Sequence, residues 1–200
     1  MREERKNERL FQKTEQIIDD SLTSIDVNEF ERLVIECEET LRDGKKIVVS
    51  GLGKNVPVCE KFVGTMNSLG LDACFMNTNS AVHGDIGMIH DKDLVIILTK
   101  SGATSESVYL HGLLNKRNCN QWLLTFEKNG ILSKKMQNKI TVQLQHEGDM
   151  WNIVPNNSTT VNLIVLQTLA IELGKRMQIT LEQFKENHPG GHIGEMLQNV

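Results

Sequence analysis

Aromatic residues make up only 4% of this chain, too few for platforms that stack nucleobases. Basic residues are also in deficit: 22 Lys and Arg against 26 Asp and Glu leave a formal net charge of −4. No run of Lys or Arg is interleaved with aromatics, which excludes nucleic acid as the main partner. No apolar segment approaches the roughly 20 residues that a membrane span needs. The opening residues, MREERKNERLFQK, lack the apolar stretch of a secretory signal. The four cysteines (Cys37, Cys59, Cys74 and Cys119) are scattered, with no Cys-x-x-Cys pair. They read as reduced, mostly buried thiols of a cytoplasmic protein rather than a disulfide set or a zinc site. His146 with His83 or His188 has no helical or Cys-supported spacing for zinc either, so no metal is expected.

What is present is an alternation of apolar runs and small polar turns. Two hundred residues with 39% hydrophobic content suit one α/β domain with a single sizeable core. The most telling stretch is Leu94-Val-Ile-Ile-Leu-Thr-Lys-Ser-Gly-Ala-Thr-Ser-Glu106. A strand that is apolar at every position is buried on both faces, which implies a parallel sheet covered by helices. It empties into Ser101-Gly-Ala-Thr-Ser105, small residues rich in hydroxyls at the start of a helix. Backbone N–H groups and hydroxyls gathered there, with the helix dipole, suit an anion such as phosphate. Gly102 lets the backbone come close to that anion.

The order of elements is helices first, then strands alternating with helices. Arg5 to Leu22 places Leu10, Phe11, Ile17 and Ile18 on one face of an amphipathic helix. Asp26 is expected to cap a second helix, with Glu29 at capping-box spacing, running to Arg42 and ending at Gly44. These helices either pack across a partner subunit or cover their own sheet. Strands are expected at 46–50, 73–76, 94–98, 121–126 and 140–144, with helices from Asn55 to Leu69, behind the serine loop to Leu114, and from the Asn156 region to Met177. Ala81 to Met88 reads as a short helix or turn. Thr180 opens a terminal helix that stops at His188-Pro-Gly-Gly191. Strands separated by helices imply right-handed βαβ units, and nothing divides the chain into further domains.

Gly51-Leu-Gly53-Lys54 looks like half of a dinucleotide fingerprint, but position 56 is Val56 and the second strand ends in Asn77-Thr-Asn79 rather than an acid. Both requirements for NAD fail. The spacing is not that of a Walker A loop. What remains is a tight strand-to-helix turn bearing a lysine, suited to a phosphate or an enediolate oxygen.

Together, Val48-Val-Ser-Gly-Leu-Gly-Lys54, Ala81-Val-His-Gly-Asp-Ile-Gly-Met88, Thr99-Lys-Ser-Gly-Ala-Thr-Ser-Glu106, Pro155-Asn-Asn-Ser-Thr-Thr160 and Glu186-Asn-His-Pro-Gly-Gly191 resemble the SIS (sugar isomerase) domain family. The His-Gly-Asp and His-Pro-Gly-Gly segments resemble its arabinose-5-phosphate isomerase branch. The resemblance runs from about Lys46 to Leu197. It implies one domain over 1–200, with N-terminal helices over 1–44 and a three-layer αβα core over 45–200. The sheet would be five-stranded, parallel and Rossmann-like (flavodoxin-like). It also implies a homodimer or homotetramer with shared active sites. Branch members often carry two CBS regulatory modules after the His-Pro-Gly-Gly segment, which this chain is expected to lack.

Residue by residue, the resemblance implies Lys54, Glu106, Glu147 and His188 as the catalytic set. His83, Ser50, Gly53, Thr99, Ser101, Thr104, Ser105, Ser158 and Thr159 would bind substrate. Two positions depart from the family pattern: Ala103 stands where Glu or Gln is usual, and Asn55-Val-Pro57 follows the lysine in place of a Ser-Gly pair. The implied reaction is aldose–ketose isomerisation of a sugar phosphate through an enediol, without cofactor or metal. Such chemistry needs an acid/base near neutral pH for ring opening, for which histidine is suited. It also needs a carboxylate of raised pKa for the carbon-bound proton and a positive charge beside the enediolate. Between Glu106 and Glu147 the sequence does not choose the base. Two readings stand beside this one: a non-catalytic phosphosugar sensor, and an isomerase of hexulose or heptose phosphates.

Overall fold

The structure, a computed structural model, describes residues 2–197, with side chains described from Phe11 onward. Two helices lead, α1 (Arg2–Thr23) and α2 (Val27–Arg42), followed by β1 (Ile47–Gly51), α3 (Asn55–Ser68) and β2 (Ala73–Asn77). Two 3₁₀ turns, Ser80–His83 and Asp85–Met88, lead into β3 (Leu94–Leu98) and α4 (Ser105–Leu114). Then come β4 (Asn120–Thr125), α5 (Ile131–Lys135), β5 (Lys139–Thr141), α6 (Asn157–Arg176), α7 (Leu181–Glu186) and α8 (Gly191–Leu197).

The five strands form one parallel sheet in the order β2-β1-β3-β4-β5, the flavodoxin-like arrangement. The burial of β1 and β3 at every position is the consequence of helices on both faces. Side chains alternate between two cores. Ile47, Val49, Leu94, Ile96, Leu98, Trp122 and Leu124 meet α2, α3 and α6 on one face. Val48, Val95, Ile97 and Leu123 meet α4 and α5 on the other. The domain is thus a three-layer αβα sandwich. Right-handed crossovers dictate that α3, leading outward to β2, and α4, leading the opposite way to β4, lie on opposite faces.

Several local expectations are revised. Glu29 pairs with Arg32 at 2.7 Å rather than closing a capping box; Asp26 caps α2 through the N–H of Asn28. A reciprocal capping box forms instead at Thr180 and Gln183. Phe11 is 78% exposed while Ile17 is buried, so Phe11 lies off the packed stripe of α1; the Leu10 side chain is outside the described ones. α2 lies over β1, β3 and β5 of its own sheet, and α1 packs on α6. The fifth strand is three residues, ending at Thr141. The His-Pro-Gly-Gly segment does not end the helical structure: α8 follows, beginning at Gly191 in a left-handed conformation (φ +68°).

Candidate active site

In an open parallel sheet, a crevice forms where neighbouring strands send their connections to opposite faces. Here that point lies between the carboxyl ends of β1 and β3. A cavity of about 250 Å³ opens there, lined by Leu52 to Asn55 after β1 and by Leu98, Thr99, Lys100, Thr104 and Ser107 from β3 and α4. Pro155, Ser158, Thr159 and Asn162 from the start of α6 close it. The volume is below the roughly 300–1,000 Å³ of pockets for drug-sized ligands and suits a small metabolite.

Three helices point their N-termini at this space. Gly53 turns β1 into α3 with φ +55°, and a Cβ there would meet nothing within 4 Å. The backbone beside Lys54 is therefore open to a ligand. The Thr99 and Thr104 hydroxyls lie 3.3 Å apart on the opposite wall. The first turn of α4 leaves its backbone N–H groups without intrahelical partners, so wall and helix end together offer neutral donors for a phosphate. Gly102 adopts φ +59° to pass beneath this turn. Lys54 and Lys100 both line the cavity, and the Lys100 ammonium is paired with the Glu147 carboxylate.

The sequence-derived residues separate into those on the wall and those away from it. Gly53, Lys54, Thr99, Thr104, Ser158 and Thr159 line the cavity. Ser50 is buried and hydrogen-bonded to Thr78 at 2.9 Å, inside the sheet end rather than on the wall. Ser101 is exposed and accepts from the Ala103 N–H. Ser105 donates to Glu106 at 2.9 Å, and both are exposed. The Glu106 carboxyl is held below the usual range by its own backbone N–H and the Ser105 hydroxyl, a charge seated on the dipole of α4. His83 is exposed at the end of its 3₁₀ turn, outside the cavity wall.

Glu147 departs most from expectation. It is fully buried, yet its carboxyl lies below the usual range, not above it. Burial pushes the carboxyl up, but four donors together outweigh it. Lys100 Nζ lies 2.5 Å from Oε1 and the Ser158 hydroxyl 2.7 Å from it, while the N–H groups of Asn156 and Ser158 reach Oε2 at 3.0 and 2.9 Å. Glu147 therefore caps α6 from outside the helix, and the side chain of Asn156, the N-cap residue, makes no capping bond. The segment around it is pinned rather than loose. Asn152 accepts from the Glu147 N–H, Asp149 accepts from the N–H groups of Trp151, Ile153 and Val154, and Asn157 donates to His146 O. Lys100 and Asn162 are wall residues that the sequence reading missed.

His188 lies at the other end of the molecule. Its neighbour Asn187 donates to Ser68 O, at the C-terminus of α3, whereas Lys54 precedes the N-terminus of the same helix. Fourteen residues of helix put about 21 Å between those ends. His188 stacks on Phe184 with ring centroids 4.1 Å apart, and its Nδ1 pairs with Phe184 O at 2.7 Å. Cys59 belongs to the core, where burial pushes its thiol up to about 12, so it is not a nucleophile. Among the described residues no group of three or more His, Cys, Asp or Glu side chains is arranged to hold a metal. No helix there is long and apolar enough to cross a membrane.

The SIS domain family pattern matches residues 40–172. This chain belongs to the SIS domain family. The matched segment holds β1 to β5 and the whole cavity wall. This SIS domain is 34% identical, over 161 residues, to the arabinose 5-phosphate isomerase KdsD of Pseudomonas aeruginosa, covering 80% of this chain and 49% of that protein. It therefore spans about half the length of the curated relatives it matches. Among solved structures, an Escherichia coli CFT073 protein in complex with arabinose 5-phosphate superposes with a TM-score of 0.82 at 26% identity, covering 91% and 95% of the two chains. The sugar isomerase domain of an RpiR transcription factor from Sphaerobacter thermophilus shares the fold, with a TM-score of 0.70 at 14% identity over 96% and 97%.

Proposed function

We propose that this SIS domain is an aldose–ketose isomerase of phosphosugars, of the arabinose 5-phosphate to ribulose 5-phosphate type. One observation carries the reading: a single small cavity joins a neutral phosphate cradle to two lysines. Thr99, Thr104 and the N-terminus of α4 hold the phosphate, and Lys54, on the β1–α3 wall of the same cavity, stabilises the charge of the enediolate. The 34% identity to an arabinose 5-phosphate isomerase and the solved relative complexed with arabinose 5-phosphate support the pentose phosphate. Glu106 is the base that moves the proton between C1 and C2. It stands off the cavity wall with its carboxyl below the usual range, so bound sugar must displace the Ser105 hydroxyl and draw the carboxyl inward, where desolvation raises it. Glu147 has all four acceptor positions filled and acts by positioning Lys100 and Ser158. His188 opens the sugar ring from a second copy of the chain, since its own copy holds it away from Lys54. Neither cofactor nor metal takes part, and the protein works in the cytoplasm.

Incubation with a panel of pentose, hexose and heptose phosphates in heavy water tests the reaction. Solvent deuterium at C1 or C2 of arabinose 5-phosphate is the expected result. If no sugar phosphate exchanges, the domain is a phosphosugar sensor. Glu106→Gln should lower turnover by ~10²–10⁴-fold, the usual contribution of a general base, while Tm falls by no more than about 4 °C, the weight of one charge on a helix dipole. The phosphate cradle has its own test. Thr99→Val combined with Thr104→Ala should weaken binding of inorganic phosphate, measured by calorimetry, by about 3–6 kcal/mol, the loss of two hydrogen bonds to a charged acceptor.

A further inference from the structure

Asn162 lies in the second turn of α6, on the cavity wall and only 2% exposed. Its Nδ2 donates to Asn55 Oδ1 at 3.0 Å, but its Oδ1 is buried without a hydrogen-bond partner. Buried polar atoms are ordinarily satisfied, so an orphaned acceptor on a cavity wall marks a place where a donor belongs. Asn55, the first residue of α3, follows Lys54 directly and lines the same cavity. With its Oδ1 engaged by Asn162, its Nδ2 has no protein partner among the described residues. The two carboxamides, 107 positions apart in sequence, thus hold each other by one bond. They leave one acceptor and one donor for a ligand.

We propose that the Asn55–Asn162 pair reads the hydroxyl groups of the bound sugar. Asn162 Oδ1 accepts from one hydroxyl, and Asn55 Nδ2 donates to the oxygen of the same or the adjoining one. A hydroxyl both donates and accepts, so a carbon chain bearing adjacent hydroxyls satisfies both amides at once. A phosphomonoester dianion or a carboxylate has no proton for Asn162 Oδ1, which keeps the anionic end of the substrate at Thr99 and Thr104. The pair therefore sets the direction in which the substrate lies: phosphate toward α4, hydroxylated carbons toward α3, α6 and Lys54. It also favours sugar phosphates over deoxy sugar phosphates, because a site built for a hydroxyl is left with unpaired groups when the hydroxyl is missing.

This inference rests on the cavity being a phosphosugar site, and the test separates the two. Calorimetry would compare arabinose 5-phosphate with inorganic phosphate on the wild type, on Asn162→Leu and on Asn55→Ala, each with its Tm recorded. Arabinose 5-phosphate should bind each variant about tenfold more weakly, the weight of one neutral hydrogen bond, while inorganic phosphate binds as before. Asn55 is half-buried at a helix start, so Asn55→Ala carries the test if Asn162→Leu does not fold. Unchanged affinity for arabinose 5-phosphate in a folded variant overturns the pair and leaves the isomerase reading standing. Equal weakening of sugar and inorganic phosphate also overturns it, because the pair would then only shape the wall. A wild type that binds inorganic phosphate but neither binds nor isomerises any sugar phosphate in the panel overturns both.

Discussion

Mixing Lys54→Ala subunits with His188→Ala subunits should restore activity that neither has alone. In a dimer with sites shared across a two-fold axis, each hybrid contains one site with both residues intact. Random exchange makes half of the dimers hybrids, so about a quarter of wild-type turnover should return. The expectation comes from the placement of His188 next to Asn187, which is bonded to Ser68 O at the end of α3 remote from Lys54. Verified hybrids without activity would place ring opening on a residue of the same subunit, and His83 would be the next to replace.

Glu147→Gln should be the most destabilising single exchange in the site. It withdraws the charge from Lys100, from the Ser158 hydroxyl and from two N–H groups of α6 at a fully buried position. Removing one partner of such a network costs about 2–4 kcal/mol, or about 6–12 °C in Tm for a domain of this size. The pH dependence follows from the sign of the shift. The folded carboxyl lies below its ordinary value, so its stabilisation is fully present above the unfolded pKa of roughly 4.3 and is lost as pH falls through the folded value. The wild type should lose Tm below about pH 4.5 more steeply than Glu147→Gln, and calorimetric scans from pH 3 to pH 7 would show it. Parallel profiles would mean that Glu147 titrates no differently in the folded chain.

The parts of the fold legible in sequence are those written in neighbouring residues. Leu94 to Leu98, apolar without interruption, announces a doubly covered parallel strand, and the small hydroxyl loop after it announces a helix start facing an anion. The turn at Gly53-Lys54 is equally local. What sequence does not reveal depends on groups that meet only after folding. Glu147 reads as an acid in a loose polar run, because nothing nearby shows that Lys100, 47 positions earlier, closes onto it. The Asn55–Asn162 bond spans still more chain. His188 sits in a convincing motif, but its distance from Lys54 follows from the direction of α3 and α6, which no motif encodes. α8 is hidden because Pro-Gly-Gly reads as a stop, whereas Gly191 with positive φ begins a new turn.

The three-residue β5 has a consequence for how copies of this chain meet. It forms one margin of the sheet, and its first residue, Lys139, turns its ammonium inward to the carbonyl oxygens of Ser133 and Met136. A margin this short exposes few ladder groups, and short, lysine-bearing edges deter the addition of foreign strands. Growth of the sheet from chain to chain is thereby blocked on that side. On that side, a second copy would be met by helices and loops, surfaces whose side chains can specify one partner rather than an open-ended ribbon.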